Sequence, residues 1–344
     1  MADYSHTGAN AEAPDCTDAG TVGYRIANDP GRCVQCGLCV AFCPCEVLAM
    51  DDAGYPYAAH PELCVGCKTC AGNCPTRALS VEALGEDGFD PCADEPRAEP
   101  ISEPEQRRYA ELQESIMQSL GLRWQPVAVS LIAADEMLPD APMPSENLRF
   151  CQAMMAARRG ASILMPPHLH SCPDGTSIFG MTGVPEKLAT GEIYVLFHKV
   201  VNAEAAARMV AERPVFPPKS KRATYVAPLA KTVREPEVVV FTGTPEQMMW
   251  LSMSMSYYTG HRHDFHASGF NSMCVEAVLL PLENDEPNIT FGCYGCRAAT
   301  DIGEDMMFMG VPTHLLPMIA EGAAELAKKA IPDSRNKIYV PPIM

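Results

Sequence analysis

Cysteines are the side chains of this sequence with the clearest chemistry, and there are 16 of them in 344 residues. Half of them lie in two copies of the pattern C-x2-C-x2-C-x3-C-P, which align at an offset of 31 residues. The copies comprise Cys33, Cys36, Cys39 and Cys43, then Cys64, Cys67, Cys70 and Cys74. Three thiolates at this spacing enclose one side of an iron–sulfur cubane, while the fourth reaches a second cluster.

The repeat resembles bacterial-type dicluster ferredoxins over about 60 residues, with all eight ligand positions matched. In that two-cluster arrangement the fourth cysteine of each copy ligates the other cluster. The resemblance therefore implies two [4Fe-4S] clusters as cofactors, here called cluster I and cluster II. Their ligand sets would be Cys33, Cys36, Cys39 and Cys74 for cluster I, and Cys64, Cys67, Cys70 and Cys43 for cluster II. Zinc is the alternative for a thiolate set, but zinc ribbons need neither a third cysteine nor Cys-Pro.

Five further cysteines are dispersed through the C-terminal part of the chain: Cys151, Cys172, Cys274, Cys293 and Cys296. We predict a candidate third cluster or metal site from them, with Arg297 as an anion or ligand contact. The alternative is that they are small buried side chains, because free cysteine is among the most buried residue types. No ligand role is predicted for Cys16, Cys45 and Cys92, and Cys45 is expected to be buried.

Short motifs around these cysteines carry a second resemblance. They are CQ followed by ARRG at residues 151–160, C-P-x-G at 172–175 and G-C-x-G-x-R at 292–297. Together they resemble the family called domain of unknown function 169, over roughly residues 110–340. The resemblance implies a fold family without an established reaction, to which the ferredoxin-type segment is an addition.

Two groups of histidines have ligand-like spacing. His168, His170 and Cys172 alternate along the chain, as do His261 and His263. Surface or hydrogen-bonded histidines are the preferred interpretation of both groups. A basic patch of Lys219, Lys221 and Arg222 is either a solvated loop or a docking surface for an acidic redox partner.

The elements that must position these residues indicate an α+β protein, in which an N-terminal dicluster ferredoxin-like domain precedes a larger mixed α/β domain. We predict a flexible tail at 1–20, the ferredoxin-type domain at 21–82, a linker at 83–105 and the larger domain at 106–340. The linker is predicted because residues 82–105 contain nine acids, four prolines and one arginine. Within the larger domain, helices are expected at 106–122, 146–159, 202–212, 245–258 and 312–330, and strands at 126–132 and 237–241.

Composition excludes several functions. The net charge of −17 argues against sequence-independent nucleic-acid binding, which requires clustered Lys and Arg. No apolar run reaches the 18 residues of a membrane helix, and the acidic N-terminus lacks the features of a secretion signal, so a cytoplasmic location without membrane insertion is expected. No phosphate-binding glycine motif supports the use of NAD or ATP.

The predicted function is electron transfer, in which two [4Fe-4S] clusters relay low-potential electrons to or from a cysteine-rich C-terminal site. The protein would be an oxidoreductase or its electron-transfer subunit, and it would have a redox partner protein. One alternative is a non-catalytic ligand- or partner-binding module with a redox-sensing ferredoxin-type segment. Another is an accessory protein for the assembly or reactivation of a different metalloenzyme. Substrate and oligomeric state are not predicted.

Overall fold

A computed structural model describes residues 23–84, called the head below, and residues 95–335, called the body. The predicted tail at 1–20, Cys16 and Cys92 lie outside the described residues. The α+β architecture predicted from the sequence is confirmed, with a ferredoxin-like head followed by a larger mixed domain. No helix of the described residues is both long enough and apolar enough to cross a membrane.

The head repeats one small unit twice. Its elements are strand β1 (Tyr24–Asn28), helix α1 (Leu38–Ala41), strands β2 (Leu48–Met50) and β3 (Pro56–Ala58), helix α2 (Thr69–Gly72) and strand β4 (Leu79–Ala83). Strands β1 and β4 pair antiparallel, as do β2 and β3. Each helix contains the third cysteine of its motif and starts after a residue in the left-handed conformation, Gly37 or Lys68. The two motifs therefore have the same local structure.

Regular structure of the body begins before the predicted start at residue 106, and residues 85–94 of the predicted linker lie outside the described residues. Residues 97–98 form strand β5, which pairs parallel with β7 (Leu138–Pro139). Helix α3 (Glu103–Leu120) starts at a capping box in which Ser102 and Glu105 hydrogen-bond each other, and it ends at Gly121 with φ of 63°. The proline-rich, acidic composition suggested a solvated tether, but its acids Glu103 and Glu105 instead serve the first turn of a helix, where the dipole favours negative charge.

The remaining strands of the body are β6 (Val127–Ala133), β8 (Ile163–Met165), β9 (Lys221–Pro228), β10 (Val238–Gly243), β11 (Asn288–Thr290) and β12 (Met307–Pro312). They form a six-stranded antiparallel sheet in the order β11-β12-β10-β6-β9-β8. The other helices are α4 (Phe150–Ala157), α5 (Pro173–Ile178), α6 (Glu186–Ala189), α7 (Glu192–Leu196), α8 (Ala203–Ala211), α9 (Pro245–Ser256), α10 (Leu280–Asn284), α11 (Tyr294–Ala299), α12 (Leu316–Lys328) and α13 (Ala330–Arg335).

Both faces of this sheet are buried, which explains why its central strands read as continuous apolar runs. In β10, Val238 and Val240 face one hydrophobic core while Val239 and Phe241 face the other. Helices α3, α9 and α12 cover the second face. The first face packs against α4 and the segment after Cys274, so that face positions the C-terminal cysteines.

The predicted helices and strands of the body are confirmed, with ends shifted by a few residues. Helix α9 begins at the predicted capping box of Thr244 and Gln247. Its Met248, Leu251 and Met255 are fully buried, as expected for a core stripe. The sequence did not predict the π-helix at Val275–Leu279, a turn type that is frequent at functional sites.

Candidate functional site

The head brings its eight motif cysteines together as two groups of four. One small cavity is lined by Cys33, Cys36, Cys39 and Cys74. A second is lined by Cys43, Cys64, Cys67 and Cys70. Each group thus combines three cysteines of one motif with the fourth of the other, which is the crossed pattern expected for clusters I and II.

Backbone N–H groups approach the sulfur of the fourth cysteine in both copies. The amide of Val47 donates to Cys43 Sγ at 3.3 Å, and the amide of Ala78 donates to Cys74 Sγ at 3.2 Å. Burial raises the pKa of the Cys64 thiol to about 11 and that of Cys70 to about 12. Thiols with such pKa values are protonated at neutral pH, so a metal that they bind must displace their protons.

The head docks on the body through the side that carries the cluster II cysteines. Lys187, at the start of α6, donates to the carbonyl oxygens of Val40, Ala41 and Cys43 at 3.3–3.4 Å. The Phe42 and Phe197 rings pack with centroids 4.7 Å apart. A cation at the C-terminal end of α1 is favourable because the carbonyls there have no helical partners.

A cavity of about 340 Å³ lies at this head–body contact, and it is the centre of the candidate site. From the head, Pro44, Cys67 and Thr69 line it. From the body, all five dispersed cysteines line it: Cys151, Cys172, Cys274, Cys293 and Cys296. These five come from four separate segments of the chain, and they share the cavity with a predicted ligand of cluster II.

Two of these cysteines stand directly before short helices. Cys172 precedes α5, and its sulfur accepts the N–H of Gly175 at 3.5 Å. Cys293 precedes α11, and its sulfur accepts the N–H of Cys296 at 3.4 Å. The sulfurs of Cys293 and Cys296 are 3.3 Å apart, and Cys151 on α4 hydrogen-bonds Cys296 from behind.

Cys274 is positioned by the π-helix that follows it. That helix packs against β12 so closely that a Cβ atom on Gly310 would lie 1.9 Å from the Ala277 carbonyl oxygen, so only glycine fits there. The buried Glu276 accepts hydrogen bonds from the backbone and hydroxyl of Ser268, from the amide of Gly269 and from the hydroxyl of Thr290. One carboxylate thus joins the segment carrying Cys274 to the loop at 268–271 and to the strand before Cys293.

A second polar network holds the Cys172 loop. Asp174 accepts hydrogen bonds from the Tyr194 hydroxyl at 2.7 Å, from Arg213 Nη1 at 2.6 Å and from the side-chain amide of Asn271. Burial and the neighbouring Asp174 raise the pKa of Tyr194, so this phenol stays protonated. The network ties the cavity walls contributed by α5, α7 and the loop at 268–271 into one unit.

Arg149 is a positively charged residue that lines the cavity beside the cysteines and also reaches the head. Its Nη2 donates to the carbonyl oxygen of Cys67 at 3.4 Å. Burial opposes its charge, but the surrounding cysteines raise its pKa above the ordinary value. These cysteines are Cys172, Cys151, Cys67 and Cys293. A partly buried cation is stabilised by a nearby negative charge, and an anionic centre bound by these cysteines would be in position to supply it.

The pKa values of three cavity thiols, those of Cys172, Cys274 and Cys293, are shifted toward the protonated form. Burial raises the pKa of Cys172 to about 11 and that of Cys274 well above its ordinary value. The hydrogen bond to Cys296 and burial together raise the pKa of Cys293. Neutral thiols explain how several cysteines are packed together without mutual repulsion before a metal binds.

Aromatic side chains form the outer wall of the cavity. Tyr194, Phe197 and Tyr294 line it, and the Lys199 ammonium lies 5.3–5.4 Å from the centroids of all three rings. This wall combines apolar surface with a single cation, a combination found in small-molecule sites.

Arg297 and His170 do not line the cavity. The expected ligand contact of Arg297 is corrected: its guanidinium donates to the carbonyls of Phe291, Gly303 and Met306, so its donors are used within its own loop. His170 is buried, with its Nε2 atom 3.1 Å from both the Met165 carbonyl and the Thr224 hydroxyl, as expected for a hydrogen-bonded histidine.

Two more predictions have clear outcomes. Cys45 is buried at 5% exposure, and it lines the second cavity beside Cys43 although it has no position in the repeated motif. In the basic patch, Arg222 is paired with Glu95, and Lys221 lies over the Phe216 ring.

The sequence analysis missed two residues of the cavity, Arg149 and Asp174. Each stands two residues from a cavity cysteine, and that proximity could have identified them.

Comparison with known proteins agrees with this division of the chain. A family model described as a 4Fe-4S dicluster domain matches residues 32–78. The model of domain of unknown function 169, described as "Uncharacterised ArCR", matches residues 115–322, which is more than half of the chain. An uncharacterized protein of Methanocaldococcus jannaschii is 31% identical over 198 residues, covering 57% of this chain and 84% of that protein. The chain therefore belongs to the family of domain of unknown function 169, and it carries an iron–sulfur dicluster domain in front of it.

Proposed function

We propose that the protein transfers electrons between the two clusters of its head and a third redox centre in the cavity. Cluster I would be held by Cys33, Cys36, Cys39 and Cys74, and cluster II by Cys64, Cys67, Cys70 and Cys43. The observation that carries the proposal is that five cysteines from distant segments line the same cavity as Cys67. An electron that a redox partner protein gives to the head then has a short route through cluster II.

The third centre is proposed to be a cluster ligated by Cys172, Cys274, Cys293 and Cys296. In a tetrahedral zinc site with 2.3 Å bonds, the sulfurs lie roughly 3.8 Å from one another. Within the described residues, no three cysteine sulfurs lie within 4.8 Å of one another, and this holds for the head cysteines as well. The four sulfurs therefore do not form the compact tetrahedron of a single zinc ion, although the Cys293–Cys296 pair is only 3.3 Å apart.

The charges of the cavity support the same assignment. A cluster bound by four thiolates is anionic, and Arg149 is a partly buried cation beside these cysteines. The N–H groups that donate to Cys172 and Cys293 resemble those that donate to Cys43 and Cys74 in the head. Such hydrogen bonds stabilise charge on cluster sulfurs and tune their potential.

Iron and acid-labile sulfide analysis of the anaerobically purified protein tests the proposal. Three cubanes predict about twelve irons per chain, whereas two predict about eight. The double variant Cys293→Ser/Cys296→Ser is expected to lose only the irons of the third centre and to keep those of clusters I and II. A count of about eight in the fully reconstituted wild type would contradict a third cubane.

The aromatic wall and Lys199 favour a second candidate function, in which the body binds a small ligand and the head senses or supplies electrons. The two candidates share the cavity but differ in chemistry. An oxidoreductase turns over a ligand in the presence of a low-potential reductant. A binding module retains the ligand unchanged while its affinity depends on the oxidation state of the head. Equilibrium binding of a candidate ligand, measured with and without dithionite and followed by product analysis, separates them.

A further inference from the structure

Two histidines and a glutamate meet on the body outside the cavity, and the proposed function does not use them. His261 and His263 lie in the segment between α9 and the π-helix. Glu286 lies between α10 and β11, 23 residues further along the chain than His263. Within the described part of the chain they are the one group of three histidine, cysteine or acidic residues whose ligand atoms all lie within 4.8 Å of one another.

The geometry of this group is close to that of ligands around a single ion. His263 Nδ1 is 2.9 Å from Glu286 Oε2, and the rings of His261 and His263 have centroids 5.2 Å apart. A tetrahedral site with bonds of about 2.0–2.1 Å separates its ligand atoms by roughly 3.3 Å. A shift of a few tenths of an ångström at the exposed Glu286 side chain would open the His263–Glu286 pair to admit an ion.

The orientation of His263 identifies its coordinating atom. Its side chain is only 7% exposed, and its Nε2 is enclosed by protein without a hydrogen-bond partner among the described residues. The nitrogen that points toward Glu286 is Nδ1. One face of the imidazole ring stacks on the Phe265 ring. An ion therefore approaches Nδ1, and the packed ring cannot turn away from it.

The backbone around the group is already fixed. The Ser256 hydroxyl donates to the carbonyl oxygen of His261 at 2.7 Å. The Asn288 side chain accepts from the amide of His266 at 2.7 Å and donates to its carbonyl oxygen at 3.0 Å. These bonds hold the histidine segment beside the segment carrying Glu286 before any ion binds, which reduces the entropy cost of binding.

We propose that His261, His263 and Glu286 bind a zinc-like divalent cation, with solvent at the fourth position. Imidazole nitrogens favour zinc over magnesium or calcium, and two histidines with one carboxylate form an established zinc ligand set. Glu286 is half exposed, so the fourth position faces solvent. This site is separate from the cavity, and its ligand set contains no sulfur.

The ion would have a structural consequence for the cavity. It would link residues 261–263 to Glu286 and thereby close the stretch of chain that contains Phe270, Asn271 and Cys274. Closing a loop in this way removes conformational freedom from it. Because those residues line the cavity, the cation would stabilise the loop at 268–271 and the segment leading into the π-helix.

Zinc titration of the cluster-loaded, full-length protein by anaerobic calorimetry, combined with zinc X-ray absorption, tests the proposal. We expect one equivalent of zinc with nitrogen and oxygen neighbours at about 2.0–2.1 Å. His261→Ala and Glu286→Gln should each lower the affinity by at least about 100-fold, because the first removes a ligand and the second replaces an anionic ligand with a weaker neutral one.

The control is His314→Ala, which removes an exposed histidine 3.5 Å from Asp285 that belongs to no group of three. It should bind zinc like the wild type. Zinc neighbours that are sulfur, or an affinity unchanged in both His261→Ala and Glu286→Gln, would overturn the proposal. The absence of a zinc equivalent would overturn it too. None of these results bears on the iron count of the cavity, so the two proposals fail independently.

Discussion

The head and the body arrange cysteines in opposite ways. In the head, eight cysteines within 42 consecutive residues form two groups whose composition follows from their spacing. In the body, five cysteines spread over 146 residues meet only because a six-stranded sheet and its helices bring four segments together. A local motif thus encodes its own site, whereas a dispersed set depends on long-range packing. Disturbing the fold should therefore affect the body site more than the head sites.

The largest expected effect tests the crossed ligand pattern of the head. Cys74→Ser is predicted to abolish cluster I, even though Cys74 lies in the second motif, while cluster II persists. The matched control is Cys45→Ser, because Cys45 is also a buried head cysteine but has no position in the repeated motif and does not line the cavity of cluster I. Iron analysis and electron paramagnetic resonance should show a loss of about four irons in the first variant only. Loss of cluster II instead would reverse the assignment.

The next prediction separates ligands from neighbours in the body. Cys274→Ser should remove the iron of the third centre, since Cys274 lies within electrostatic reach of Cys172, Cys293 and Cys296. Cys151→Ala should retain it, because the sulfur of Cys151 is hydrogen-bonded to Cys296 and is not one of the four proposed ligands. Iron and sulfide analysis after anaerobic reconstitution provides the comparison. Equal loss in both variants would show that Cys151 is itself a ligand.

A third prediction tests how strongly the body site depends on packing. Glu276→Gln leaves one acceptor oxygen for the donors of Ser268, Gly269 and Thr290, so we expect about 2–3 kcal/mol of lost stability. The third centre should also become more sensitive to chelators, while clusters I and II do not. Denaturant unfolding and timed chelation, with exposed Glu212→Gln as the control, measure both effects. If chelators removed iron equally fast from all clusters of the variant, the body site would not depend on packing more than the head sites do.

The smallest expected effect is a change in how the free energy of unfolding depends on pH, and it comes from the buried His170 of the body. Burial lowers the pKa of His170 to about 4, against 6.5 for an unperturbed histidine. Above pH 6.5 this residue is neutral in both folded and unfolded chains, so its contribution to stability is complete. As the pH falls toward 4, the unfolded chain takes up a proton that the folded chain does not, and stability declines by about 2 kcal/mol between pH 6.5 and 5.

His170→Gln should flatten this part of the pH profile, and the measurement is the free energy of unfolding at several pH values between 7 and 5. The substitution is also expected to lower stability at pH 7, since the hydrogen bonds to Met165 and Thr224 change. The slope with pH, rather than the absolute value, is therefore the readout. An unchanged slope would show that other groups control acid sensitivity.

The sequence predicted the parts of this molecule that depend on neighbouring residues. The cysteine spacing of the head, the capping box at Thr244 and the buried face of α9 are all local patterns. The start of α3 within an acidic, proline-rich stretch was missed, because Ser102 and Glu105 form a cap whose helix overrides the composition of the segment. Composition describes the average tendency of a segment to be unstructured, whereas a helix cap acts at one position within it.

The sequence indicated which body cysteines could form a common site, but it did not predict how the fold brings them together. Nothing in the motif around Cys172 specifies that Cys274 lies beside it, since that proximity depends on how the π-helix packs on β12 at Gly310. Arg297 was chosen for its place next to glycines, yet its guanidinium is held by carbonyls of its own loop. The cation that does face the cysteines, Arg149, reaches them from another helix start.

Electronic contact between cluster II and the third centre is the central claim, and paramagnetic resonance of the fully reduced, full-length protein tests it most directly. We predict that the cluster II signal of the wild type is broadened and split by a neighbouring spin. That extra splitting should disappear in Cys293→Ser/Cys296→Ser while the interaction between clusters I and II remains. A cluster II signal that is identical in the wild type and in the double variant would contradict the account.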